Sequence, residues 1–157
     1  QGDNTATARL NGYRTGITNA GGTFLDNEIQ YADAVADKAA NSMEAIIQNH
    51  PEGIAMIVCN NDDMAMAAAR AAESHPAYAN TVFVGFDGTK SACDSLLQGG
   101  ETLSVSYNCY DLGYKAVEAA VAAANGEKGD EVIFVDASIL TKDNAQERLD
   151  YLNKLLG

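Results

Sequence analysis

Three short apolar runs, "IAMIVC" (54–59), "TVFVGF" (81–86) and "TLSVSY" (102–107), alternate with segments of helical periodicity. The first two carry too few polar residues for a strand with one face in water, which predicts strands covered on both faces. Helices are expected between the runs, from Asp62 to about Ser74 and from Lys90 to Gln98, the latter closing on "GG". Strand, short connection, helix, short connection, strand is the crossover unit of a parallel sheet. The predicted class is therefore α/β, an open, doubly wound, mostly parallel sheet.

The flanks extend this pattern. From Thr5 to Ala20, Ala8, Leu10, Tyr13 and Ile17 recur at helical spacing, and "NAGG" supplies a glycine stop. "TFLDNEIQYA" reads as an extended segment, and Asp33 as the N-cap of a helix whose stripe of Val35, Ala39, Met43, Ile46 and Ile47 runs to Pro51. After the third strand come a long alanine-rich helix, Asp111 to Ala124, a break at "NGEKGD", a strand over "EVIFVDASIL" and a closing amphipathic helix in "TKDNAQERLDYLNKLL". The chain opens on a helix cap, where such an alternation would normally supply a strand first.

Charge narrows the partners. Ten Lys and Arg stand against 22 Asp and Glu, a formal net charge of -12 over 157 residues, so broad attraction to nucleic acid or anionic lipid is not expected. No apolar run approaches the ~20 residues that span a bilayer, so no membrane insertion is expected, and the first residues lack the pattern of a signal peptide. Cys59, Cys93 and Cys109 form no CxxC pair and have no nearby His, which favours plain thiols over a disulfide or metal site. His50 and His75 each precede a proline, a helix-terminal position rather than a catalytic one. With no GxSxG, Walker or GxGxxG pattern, neither an enzyme nor a cofactor is indicated.

Ligands of open parallel sheets bind outside the carboxyl ends of the strands. Those ends deliver Asn60, Asn61 and Asp62 after the first run, Asp87 after the second, and Tyr107 and Asn108 after the third, with Arg9 in the opening helix. Carboxylate, amide, guanidinium and phenol together suit a neutral, hydroxyl-rich ligand, because Asp accepts hydroxyl protons while Arg presents a rigid fork of donors. Structural readings stand beside these. Asp62 and Asp63 serve as N-cap and first-turn acids, Asn61 as a turn residue, Asp87 in "FDGT" as a turn or cap, and Arg9 as a surface arginine.

"VCNNDDMAMAAARAA", "VFVGFDGT" and the late "TKDN" resemble the ribose and galactose/glucose type of periplasmic sugar-binding proteins, the soluble receptors of ABC importers. The resemblance covers nearly the whole chain but about the second half of such a protein, which has two α/β lobes closing on a sugar. It implies that Asn61 and Asp87 bind sugar hydroxyls and that Arg9 reaches the sugar from the C-terminal lobe. Asp3 and Thr5 fall where further polar contacts arise in that family. Tyr107 replaces the usual Asn or Gln at the lobe crossover, and Ala34 stands where the family places a stacking aromatic, with Tyr31 as the nearest substitute.

The resemblance further implies a division into 1–107, the C-terminal lobe, 108–136, a segment returning to an N-terminal lobe, and 137–157, a tail and helix. The expected partners are a sugar or polyol, an ABC permease, and either the first lobe or a second copy of the chain. The expected location is periplasmic or extracellular, with a lipid tether through an N-terminal segment beyond this sequence as one option. The alternatives are the ligand-sensing domain of a lactose-repressor-like regulator and that of a membrane-bound sensor.

Overall fold

The structure is a computed structural model and describes residues 3–130 and 132–157. Four strands, β1 (Met56–Val58), β2 (Val82–Asp87), β3 (Leu103–Tyr107) and β4 (Ala137–Leu140), form one sheet in the order β1-β2-β3-β4. The pairs β1/β2 and β2/β3 are parallel and β3/β4 is antiparallel. Among the described residues six α-helices accompany them: α1 (Asn4–Asn19), α2 (Ala36–Asn49), α3 (Asp62–Ala72), α4 (Lys90–Gln98), α5 (Cys109–Ala124) and α6 (Ala145–Leu156). This is the predicted α/β sheet, mostly parallel, with an antiparallel edge strand. Among the described residues no helix is long and apolar enough to cross a membrane.

The core lies between one face of the sheet and the helices. Met43 and Ile47 of α2, Ala68, Ala69 and Ala72 of α3, Tyr78 and Phe83 form one cluster. Cys93 and Leu96 of α4 join Leu140 and Ala145 in another. The alanine run of α3 is buried almost throughout, since small side chains let a helix approach neighbours closely.

Local signals explain most helix ends. Asp3 caps α1 by accepting from the Ala6 amide at 2.6 Å, Thr89 caps α4 through the Ala92 amide at 3.1 Å, and Gly99 ends α4 in the left-handed conformation at φ 83°. His50 is the C-cap of α2, and its carbonyl accepts from the Tyr78 hydroxyl at 2.8 Å.

Four expectations are corrected. "TFLDNEIQYA" forms no strand; a 3-10 turn occupies Asp26–Glu28. Asp33 does not cap α2: the N-cap is Val35, Asp33 and Ala34 both have positive φ (52° and 59°), and the Asp33 carboxylate pairs with Lys38 at 2.6 Å. Of the strand expected over "EVIFVDASIL", Glu131 lies outside the described residues and the rest shrinks to Ala137–Leu140, the stretch that pairs with β3. β1 is not covered on both faces as expected, Met56 being exposed and Ile57 and Val58 half-buried, whereas β2 is buried at Phe83 and Val84; in β3 Leu103 and Val105 are half-buried while Ser104 and Ser106 are fully buried. In β3 the serines face the helix layer, where their small size leaves room for a buried carboxylate and for the turn after β2.

Helix α1 stands off from the sheet, with no buried residue of its own. Between it and β1 with α2 runs a groove of about 1390 Å³, lined by Leu10, Tyr13, Phe24, Met43, Met56 and Val58 among others. Helix α5 likewise buries no residue, and Tyr110, Tyr114, Val117 and Val121 on it, with Phe134 beyond, are exposed.

Candidate functional site at the strand ends

The carboxyl ends of β1 and β2 are bridged to α1 by a small polar network. Arg9 Nη1 donates to the Asn60 carbonyl at 2.7 Å, and Asn60 Nδ2 donates back to the Ala6 carbonyl at 3.4 Å. The Tyr13 hydroxyl donates to the Cys59 carbonyl at 3.1 Å. Burial pushes the Tyr13 phenol up to about 12 and the Cys59 thiol up to about 12, so both stay protonated near neutrality. The Arg9 guanidinium lies 3.7 Å from the centre of the Phe86 ring, a cation–π contact that flattens it against the sheet. Phe86 in turn tilts against Tyr107, ring centres 5.8 Å apart.

Asp87 ends β2 beside this arginine. Its carboxyl is raised from the ordinary value, first by burial and then by the neighbouring Asp62, while the positive charge of Arg9 acts in the opposite direction. The carboxylate thus sits half sheltered near one cation, with acceptor capacity left over. Asp87 has φ 116°, a conformation that side-chain-bearing residues rarely adopt, followed by Gly88 at φ 69°. A methyl group at Gly88 would collide with Ser106, so glycine is required there on two grounds.

Behind the mouth lies a buried acidic pair. Asp62, 1% exposed, accepts from the Ser104 hydroxyl at 2.6 Å through Oδ1 and from the Thr89 amide at 3.0 Å through Oδ2. Glu101, also 1% exposed, adjoins it across Gly85, where a methyl group would meet both carboxyl groups. Burial, followed by the Asp62 charge, raises the Glu101 carboxyl from 4.5 to about 9, and as a protonated acid it can donate to Asp62.

The seven residues singled out from the sequence distribute as follows. Arg9, Asn61 and Asp87 line the same end of the groove, with Asp3 and Tyr31 also on its wall. Tyr107 joins the group through its ring contact with Phe86. Thr5 is exposed on α1. The expected division of labour in "NNDD" changes: Asn61, not Asp62, is the N-cap of α3, its side-chain oxygen accepting from the Met64 amide at 2.9 Å. Asp63 alone remains an exposed first-turn acid.

Sequence reasoning did not single out Tyr13, Phe86, Ser104, Glu101 or Arg148. Arg148 on α6 donates to the carbonyls of Gly88 at 3.4 Å and Tyr107 at 3.1 Å, tying the ends of β2 and β3 to the C-terminal helix. Position at a strand end could have marked Phe86. The others depend on side chains meeting across elements distant in sequence. Among the described residues no cluster of His, Cys, Asp and Glu could hold a metal ion.

The parallel-dominant open sheet, with amide, carboxylate, guanidinium and phenol groups at its strand ends, has the fold of an α/β lobe of the type I periplasmic-binding-protein kind. A family model for the periplasmic binding protein domain matches residues 1–128, and the chain belongs to that family. The ribose import binding protein of Salmonella typhimurium is 30% identical over 113 residues, covering 72% of this chain and 38% of that protein. The D-apiose import binding protein of Paraburkholderia graminis is 30% identical over 120 residues, covering 75% of this chain and 38% of that one. A solved Mycobacterium smegmatis structure superposes with a TM-score of 0.82 at 24% identity, covering 99% of this chain and 52% of the other. The Caulobacter myo-inositol binding protein gives 0.77 at 23% identity, covering 91% of this chain and 50% of that one. The matches thus span less than two fifths of these two curated relatives and about half of these solved chains.

Proposed function

We propose that this chain is the sugar- or polyol-gripping lobe of a solute-binding receptor that serves an ABC importer, outside the cytoplasmic membrane. The observation that carries the reading is the convergence of Arg9 and Asp87 with the Asn60–Asn61 strand end at one mouth. Asp87 accepts ligand hydroxyl protons, Arg9 offers its remaining donors, and Tyr107 and the free amide of Asn61 flank them. Asp3, Thr5 and Tyr31 contribute further contacts in the same reading.

Closure requires a second surface, and we assign 108–136 to it. The exposed Tyr110, Tyr114, Val117, Val121 and Phe134 would be covered by another lobe, so that a ligand touching both lobes favours the closed state. Isothermal titration calorimetry of the purified protein with D-ribose, D-apiose, D-galactose and myo-inositol tests the reading. Binding of at least one is expected, and no heat from any would sink it. Retention of full affinity in Asp87→Ala would remove this site in particular.

A further inference from the structure

Asp87 is held in a backbone conformation that does not persist by itself. A φ of 116° in a residue other than glycine is unfavourable and survives only where the surroundings over-determine it. The turn 87–89 is held from three elements. Gly88 N donates to Ser104 Oγ of β3 at 3.2 Å, the Gly88 carbonyl accepts from Arg148 of α6 at 3.4 Å, and Thr89 N donates to Asp62 Oδ2 of α3 at 3.0 Å. Two of these ties meet at one group, because Ser104 Oγ itself donates to Asp62 Oδ1 at 2.6 Å. Asp62 also faces the Thr89 hydroxyl at 3.3 Å, and that hydroxyl caps α4.

The carboxylate is therefore spent on orienting other groups. One oxygen fixes the rotamer of a buried serine that receives the Gly88 amide; the other receives the Thr89 amide directly. Hydrogen bonds to a charged acceptor are the stronger kind, and Ser104 is fully buried, so water cannot replace them. We infer that Asp62 is a positioning residue for Asp87: through Ser104 and Thr89 it clamps the turn that carries the ligand-binding carboxylate. The inference rests on the reading of Asp87 as a ligand group, but the clamp itself is independent of any ligand.

Asp63 supplies the control, being an adjacent carboxylate on the same first turn of α3 but exposed. If Asp62 acted only on the helix terminus, Asp62→Asn and Asp63→Asn would behave alike. In Asp62→Asn, amide hydrogen exchange at Gly88 and Thr89 should accelerate at least tenfold while Phe83 and Val84 in β2 keep their protection. Asp63→Asn should leave all four amides unchanged. With D-ribose as the probe, affinity should fall at least tenfold in Asp62→Asn and by less than twofold in Asp63→Asn. Unchanged exchange at Gly88 and Thr89 in Asp62→Asn, or equal effects of the two variants, overturns the inference. Should Asp62→Asn fail to fold, Ser104→Ala takes its place: faster exchange confined to Gly88 and Thr89 supports the clamp, and unchanged exchange there refutes it. If the unmodified protein shows no heat with D-ribose, the exchange measurements still decide the clamp, while the other polyols decide the proposed function.

Discussion

Replacing Glu101 by Gln should flatten a pH dependence of folding stability that the buried acidic pair imposes. The Glu101 carboxyl, enclosed beside Asp62, has its pKa raised from 4.5 to about 9 in the folded protein. The folded state therefore keeps a proton that the unfolded chain releases above pH 4.5. The stabilisation is complete below the unfolded value and declines as pH rises, until the folded group also ionises near pH 9. Within that window the slope is about 1.4 kcal/mol per pH unit, or about 4 kcal/mol between pH 5 and pH 8, a large part of a domain's total stability. Glutamine has nearly the same shape, keeps a donor that can turn toward Asp62, and carries no charge at any pH. Urea unfolding followed by circular dichroism at pH 5, 6, 7 and 8 gives the comparison. The difference between the two proteins should change steadily in favour of Glu101→Gln as pH rises. Parallel stability profiles would refute the argument, since Glu101 would then be ionised in the folded state or solvated.

Other consequences can be checked separately. Asp87→Gly removes the strain of a positive φ and should stabilise the fold by about 1 kcal/mol in urea unfolding while abolishing polyol binding in calorimetry. Leu96→Ala empties a site packed by Cys93, Leu140 and Ala145 and should cost about 2–5 kcal/mol by the same unfolding assay. Gly85→Ala drives a methyl group into Glu101 and Asp62 and should destabilise by at least about 1–3 kcal/mol, read from thermal melting. Iodoacetamide at pH 8 should label exposed Cys109 long before half-buried Cys59, whose thiol is held at about 12; peptide mass mapping resolves the order, and simultaneous labelling would contradict the raised Cys59 thiol.

The sequence was informative wherever a signal is local. Apolar runs of strand length, alanine and methionine stripes at helical spacing and the glycine after Gln98 located the sheet, α1 to α4 and their order. They also placed Asn61, Asp87 and Tyr107 at strand ends, because a parallel sheet brings every carboxyl end to one edge. Local signals misled where two residues compete for the same role. Asn61 and Asp62 are both good N-caps, and the choice fell to Asn61 because Asp62 has stronger partners in Ser104 and Thr89.

Asp33 precedes a helix yet turns to Lys38, and residues 132–136 of the stretch expected as a strand stay outside the sheet because β3 has only a short free edge to offer it. Composition and periodicity alone therefore determined the α/β class, the polar rim and the absence of any phosphate-loop motif. The tertiary structure decided which carboxylate is buried, which is strained and which faces the groove. Those properties depend on desolvation and on partners as far apart as Asp62 and Ser104, or Gly88 and Arg148. No local pattern encodes such distances, because burial exists only once the chain has closed on itself.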